Sequence, residues 1–160
     1  MKEGTADGVD LRILRALQRD ARISNADLAR RLRMAPSAVH GRVRRLLAAG
    51  LIRAFEARLD PEALGAGLVA FVSIRVRERA ACGAVGRSLA KLPEVLEVHS
   101  VAGEDGYLIK VRVPGTAALN DLLRDRIGPL RAVESTRTTI VLSTEKETSL
   151  FPVPGPDDAV

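Results

Sequence analysis

The chain has 160 residues and a formal net charge of +5 at pH 7, with one Cys, no Trp and two His. A single cysteine excludes an internal disulfide, and His40 and His99 lack cysteine partners at ligand spacing, so no metal site or resident cofactor is expected. No apolar run approaches the roughly 18 residues of a membrane-spanning helix, and the N-terminus lacks the apolar core of a signal peptide, so we expect a cytoplasmic protein.

Positive charge is concentrated in the N-terminal third of the chain. Residues 1–53 hold 12 Lys and Arg against 5 Asp and Glu, a net of +7, whereas residues 54–160 hold 13 against 15, a net of −2. This distribution is typical of a nucleic-acid reader joined to a second, near-neutral domain. Three Phe, one Tyr and no Trp leave few rings for stacking on single-stranded bases, so double-stranded DNA is the expected partner.

Three short helices are predicted in the basic third. The first is capped by Asp7 and runs to about residue 20. The second begins at Ser24, whose hydroxyl can accept from the amide three residues later, and ends near residue 33. The third begins with Pro36, which suits a first helical turn, and ends at Gly50. About three residues separate the second and third helices, which is the spacing of a helix-turn-helix.

The outward face of the third helix carries side chains suited to reading DNA. At about 100° per residue, Val39 and Val43 fall on its inner face. Arg is the side chain best suited to guanine edges, and Ser and His can reach bases or phosphates. Arg42 lies nearer the apolar edge, where either a DNA contact or a structural ion pair is possible; the whole helix could also be a solvated basic helix of an ordinary bundle. The outward and flanking residues are Ser37, Ala38, His40, Gly41, Arg44 and Arg45.

The organisation of the chain changes after the third helix. Residues 51–59, LIRAFEARL, alternate in the manner of a strand or an extended wing, and residues 60–67, with one Pro and two Gly, predict a hinge. The expected divisions are a DNA-binding domain over 1–59, a hinge over 60–67, a second domain over 68–146 and a flexible tail over 147–160.

The second domain alternates strands and helices in the order β-α-β-β-α-β, which is typical of a ferredoxin-like sandwich. One face of such a sheet is left without helices, and we expect a second copy of the chain to cover it. The predicted strands are 68–76, 95–102, 107–113 and 133–143, and the predicted helices are 81–92 and 116–127.

The chain contains, in this order, DLRILRALQRDARISNADLARRL, APSAVHGRVRRLLAAGLI, DPEALG, LPEVLEVHSVAGEDGYLIKV and ESTRTTIVL. Together these segments, within residues 9–146, resemble the leucine-responsive/asparagine-responsive (Lrp/AsnC) family of bacterial and archaeal transcription regulators. The resemblance implies an α+β protein with an N-terminal winged helix-turn-helix and a ferredoxin-like βαββαβ ligand-sensing domain. It also implies homodimers that pair through the sandwich sheets and assemble into octamers, with an amino-acid effector at subunit interfaces.

The resemblance also implies site residues. It places the outward residues of the third helix in the major groove, and it places Ser24 and Asn25 at a phosphate beside a helix N-terminus. For the effector it indicates a loop and an adjoining strand: Gly103, Glu104, Asp105, Gly106, Tyr107, Thr136 and Thr138.

The sequence departs from the family pattern at two of these places. Many members have Ser where this chain has Ala35, so the third helix loses a side-chain cap, at a cost of about 1 kcal/mol. Many members have Asp where this chain has Gly106. Glu104 or Asp105 could accept the effector's ammonium from a shifted position, or the loop is a plain hairpin turn with solvated acids.

The expected function is therefore a sequence-specific DNA-binding regulator, associated with the nucleoid and not an enzyme, whose activity responds to an amino acid. Two other functions fit parts of the pattern. An architectural DNA-binding protein would need no effector, and a sirohaem-decarboxylase-like enzyme would need tetrapyrrole-facing His or basic residues between its domains.

Overall fold

The computed structural model describes residues 6–77 and 82–154, which divide into two compact units. One unit contains the chain up to Arg58 together with the segment from Lys146 onward, and the other contains Leu59–Glu145. The division falls at the start of the expected hinge. The expected tail, however, groups with the N-terminal unit, and its last residues, 155–160, lie outside the described ranges.

The N-terminal unit contains three helices: α1 over Gly8–Arg19, α2 over Asn25–Leu32 and α3 over Pro36–Ala48. Asp7 and Asp10 form a reciprocal capping box at the start of α1, and the Ser24 side chain accepts from the Asp27 amide at the start of α2. The chain turns from α2 into α3 through Arg33, which has a left-handed conformation with φ 56°. This conformation favours glycine, so the turn is held by its surroundings and not by local preference.

The core of this unit is small and apolar. It is built from five buried residues, one or two from each helix, with partly buried side chains such as Val43 and Ile52 packed around them. The buried residues are Ile13, Leu28, Ala29, Val39 and Leu46.

The C-terminal segment contacts the same unit through its backbone. Arg58 donates to the carbonyl of Glu147 at 3.0 Å, and Arg15 of α1 donates through Nε to the carbonyl of Val153 at 3.1 Å. Phe151 lies against an open groove beside α1.

The second unit is a four-stranded antiparallel sheet in the order β2-β3-β1-β4, with helices on one face. Its elements confirm the predicted β-α-β-β-α-β order. Helix α5 continues directly into a π-helical turn at Leu122–Ile127 before Gly128. The bounds are β1 Leu68–Val76, α4 Cys82–Leu89, β2 Val95–Ser100, β3 Tyr107–Val113, α5 Thr116–Asp121 and β4 Val133–Ile140. The predicted start of α4 at residue 81 lies outside the described ranges.

The two faces of the sheet differ in character. Ala70, Val72 and Ile74 of β1 are fully buried on the helix side, together with Ile109 and Val111 of β3. The opposite face mixes apolar and polar residues. On that face Phe71 is 37% exposed, and it pairs across the sheet with a lysine and a threonine.

The alternating segment 51–59 is not a strand. None of its residues pairs with another strand in the described chain, and all but Ile52 are exposed. Alternation indicates a strand only where a neighbouring strand supplies hydrogen bonds, and within residues 6–77 and 82–154 none does so. The segment 60–67, expected to be a hinge, begins with a turn in which Asp60 accepts from the amides of Glu62 and Ala63 at 3.0 and 3.2 Å. No helix in the described ranges is long and apolar enough to span a membrane.

Candidate DNA-binding and effector sites

Helix α3 exposes the side chains that the sequence assigned to its outer face. Ser37, Ala38, His40, Gly41, Arg44 and Arg45 are all exposed, whereas Val39 and Leu46 of the same helix are buried. The helix is thus fixed by one apolar face and open along the other. Its N-cap, Ala35, makes no side-chain cap bond, as its side chain dictates.

The N-terminus of α2 and the outer face of α3 are linked by one polar contact. Nδ2 of Asn25 lies 3.3 Å from Nδ1 of His40. The Asn25 amide can donate to Nδ1 of His40 when that ring nitrogen carries no proton. The start of α2 is thereby in contact with a side chain assigned to the groove.

Ser24 also does more than cap its helix. Its hydroxyl accepts from the Asp27 amide at 3.0 Å and donates to the Asp27 carboxylate at 2.6 Å. That hydrogen bond, with help from the nearby Arg30, lowers the pKa of Asp27 from its ordinary value. Both Ser24 and Asn25 are exposed, so the start of α2 is open to a ligand.

The sequence did not identify Asp10 as a functional residue, yet it is the one buried charged residue in the described chain, at 1% exposure. Arg42 donates to its Oδ1 at 2.8 Å, and Arg45 donates to its Oδ2. Arg42 also donates to Asp7 at 2.6 Å, and this hydrogen bond lowers the pKa of Asp7 and raises that of Arg42. Arg42 is therefore a structural ion-pair partner, one of its two expected roles.

Arg45 does not lie in the environment that was expected for it. The sequence placed it on the DNA face beside Arg44, but its guanidinium is bonded to the buried Asp10 while its side chain remains 60% exposed. Arg44 is exposed, and within the described ranges no ion pair involves it. A signal for Asp10 was present in the sequence, since it lies on the same face of α1 as Ile13 and Leu17, where a buried acid requires cationic partners.

The expected effector loop lies at one end of the sheet. Gly103 has φ 115°, which favours glycine, and the amide of Gly106 donates to the carbonyl of Ile74 at 2.9 Å. Thr136 and Thr138 lie on β4 opposite Ile74 and Val72 of β1, and Thr136 is exposed.

Two arginines that the sequence did not single out bind the acids of this loop. Arg75 donates to Glu104 at 2.6 Å, and Arg137 donates to Asp105 at 3.0 Å. Nε of Arg75 also lies 4.0 Å from Oδ1 of Asp105. Both carboxylates of the loop are thus paired to cations on β1 and β4, and the Glu104 side chain remains 86% exposed.

Tyr107 differs from its expected role. Its side chain is 7% exposed and belongs to the sandwich core. A Cβ built on Gly86 of α4 would lie 2.6 Å from the Tyr107 hydroxyl oxygen, which shows how closely the helix and ring pack. The ring therefore faces the core, and Tyr107 is the first residue of β3, directly after the loop.

Each of the two units matches a known protein family. Residues 7–53 match the winged helix-turn-helix DNA-binding family, and residues 69–151 match the Lrp/AsnC ligand binding domain. The HTH-type transcriptional regulator FL11 of Pyrococcus horikoshii is 37% identical over 147 residues, covering 92% of this chain and 96% of that protein. The leucine-responsive regulatory protein of Escherichia coli K12 is 37% identical over 145 residues, covering 89% and 88%.

Among solved structures, a transcriptional regulator of Neisseria meningitidis in complex with L-methionine aligns with a TM-score of 0.85 at 31% identity, covering 92% of this chain and 97% of that one. The matched proteins and the present chain share the same fold, and the matches cover both units in the same order. The chain belongs to the Lrp/AsnC family of transcriptional regulators.

Proposed function

We propose that this regulator reads duplex DNA with the exposed face of α3 and that Arg44 is its principal base-reading cation. The observation that carries the proposal is the division of α3 into a buried apolar face and an open face holding Arg44 and His40. Ser24 and Asn25, exposed at the start of α2, would contact a phosphate, where free amides and the helix dipole favour an anion.

Replacement of Arg44 by Ala tests this proposal. An operator is first selected from a random duplex library with the unaltered protein, and affinity is then measured by fluorescence anisotropy. Losing a bidentate guanine contact should cost about 1–3 kcal/mol and relax the preference at one operator position. Arg12→Ala is the matched control, because Arg12 is exposed on α1 and carries the same charge. Equal affinity for Arg44→Ala and Arg12→Ala would refute the assigned face.

We further propose that an amino acid is the effector and that the loop 103–106 binds it. An α-amino acid zwitterion carries one cationic and one anionic group, and the loop offers Asp105 and Glu104 beside Arg75 and Arg137. A zwitterion can exchange places with such an ion pair and satisfy both partners. The regulator of Neisseria meningitidis bound to L-methionine supports this class of ligand.

A thermal-shift screen of the twenty amino acids tests the effector proposal. A ligand present at a hundred times its dissociation constant should add about 2.7 kcal/mol to the free energy of unfolding. Asp105→Asn should abolish that shift, whereas Asp121→Asn, an exposed acid on α5 in the same unit, should retain it. No shift with any amino acid would instead favour an architectural DNA-binding protein.

The working form is proposed to be a homodimer, with dimers assembling into an octamer, in the cytoplasm and at the nucleoid. Several large apolar side chains support assembly, since they are exposed in the single chain: Phe55 at 48%, Leu59 at 71%, Leu142 at 97% and Phe151 at 68%. Two-fold symmetry would also match a palindromic operator. Light scattering on the eluting protein gives the mass directly, and a monomer mass would contradict the proposal.

A further inference from the structure

We infer that Asp10 is a positioning residue that sets the placement of the recognition helix α3, and that Arg45 is its anchor and not a base-reading side chain. This inference rests on the proposed DNA-binding function and adds to it a residue of α1 that does not itself reach DNA.

The geometry of the Asp10 carboxylate supports the inference. It accepts from the amide of Asp7 at 3.2 Å through Oδ2, from Arg42 at 2.8 Å through Oδ1, and from Arg45 through Oδ2. Its side chain is 1% exposed, so the carboxylate itself is shielded from water. Both carboxylate oxygens of Asp10 therefore accept hydrogen bonds from within the protein.

The two arginines converge on one point from successive turns of α3. Arg42 and Arg45 are three residues apart, so they lie side by side on the helix surface. Two charge-assisted bonds to a single buried carboxylate restrict both the rotation of α3 about its axis and its sliding along that axis. The apolar contacts of Val39 and Leu46 determine which face of α3 is buried, and the two bonds to Asp10 add a directional restraint at one defined point.

The charges of this group also cancel. Asp7 and Asp10 together balance Arg42 and Arg45, which leaves Arg44 as the unpaired arginine of α3 within the described chain. A count of the three arginines of α3 from the sequence therefore overstates the positive charge that α3 offers to phosphates.

The experiment compares Asp10→Asn with Asp7→Asn in the full chain. Both changes remove one negative charge near α3, but Asp7 is half exposed and, of the two arginines, binds only Arg42. Asn also remains a good helix cap at position 7. Affinity is measured for the selected operator and for a scrambled duplex of equal length.

If Asp10 positions the helix, Asp10→Asn should lower operator affinity at least tenfold while affinity for the scrambled duplex stays equal or rises, since the protein gains positive charge. Asp7→Asn should keep operator affinity within about threefold. If Arg45 instead reads DNA, its release by Asp10→Asn should leave operator affinity unchanged or raise it, and the inference is overturned.

A second variant keeps the inference testable if Asp10→Asn does not fold. Arg45 is largely exposed, so Arg45→Ala is compatible with folding. If Arg45 anchors α3, Arg45→Ala should weaken the base preference at several operator positions together, because the whole helix moves. Relaxed preference at one position only, as expected for Arg44→Ala, would overturn the inference. Unaltered protein that does not distinguish operator from scrambled duplex would instead refute the proposed function itself.

Discussion

Helix α3 begins without a side-chain cap, and this absence predicts a stabilising substitution. Ala35 has the extended backbone of an N-cap, with φ −71° and ψ 141°, but its methyl group cannot accept from the first-turn amides. No acid lies in the first turn of α3 to replace that bond. Because Ala35 is exposed, a serine hydroxyl has room, and Ala35→Ser should add about 1 kcal/mol, within a range of roughly 0.5–2.

The size of the effect on melting follows from the size of the unit. For a domain of 60–100 residues, about 1 kcal/mol corresponds to a rise of roughly 4–8 °C in Tm. Differential scanning calorimetry of the full chain should show this rise in the transition of the helical unit. The sandwich transition should not move, because the two units have separate cores.

The control is the same substitution at the other end of the helix. Ala48 is the last residue of α3 and is exposed, so Ala48→Ser changes helix propensity alone and should cost about 0.5 kcal/mol. If both variants melt alike, or if Ala35→Ser melts lower than the unaltered protein, the capping argument is wrong.

Three other predictions concern caps, pH and packing. Ser24→Ala removes the side-chain cap of α2 and should lower the unfolding free energy of the helical unit by about 1 kcal/mol, measured by urea titration. The hydrogen bond from Arg42 holds the pKa of Asp7 in the folded protein below its ordinary value of 3.8. The ionised Asp7 therefore stabilises the fold fully above pH 3.8, and this stabilisation is lost as pH falls through the pKa of the folded protein. The urea midpoints at pH 7 and pH 3 should accordingly differ less in Asp7→Asn than in the unaltered protein. Gly86→Ala would bring a methyl group within 2.6 Å of the Tyr107 hydroxyl oxygen and should cost about 1–3 kcal/mol in sandwich stability. In Gly83→Ala, on the same helix, the new methyl would meet only the flexible end of an arginine at 3.3 Å, so equal melting of the two glycine variants would contradict the packing argument.

Local signals in the sequence predicted the helices, the order of helices and strands along the chain, and the buried faces. Asp7, Ser24 and Pro36 act over one helical turn, so a cap or a first turn can be recognised without knowing the tertiary structure. The same holds for the alternation in β3, where every second residue from Tyr107 onward is buried.

The contacts that the sequence did not predict share a physical origin, because their partners are distant in sequence. A helical wheel correctly gives the direction of Arg45 on its own helix, but the acid that binds it is 35 residues away. Residues 51–59 were predicted as a strand or an extended wing, and they form no strand because no neighbouring strand in the described ranges pairs with them. In the loop, Asp105 is bonded to Arg137, 32 residues later. Alternation and helical periodicity report which residues are buried, and they contain no information about which charges meet.

The chain passes between its two units twice, after Arg58 and again before Lys146, so the unit that contains the helix-turn-helix also includes a segment from the far side of the sandwich sequence. A fragment ending at residue 58 would lack the carbonyls of Glu147 and Val153 that accept from Arg58 and Arg15. Changes between residues 6 and 58 and changes within residues 146–154 therefore alter the same unit, whereas changes within residues 59–145 alter the other one.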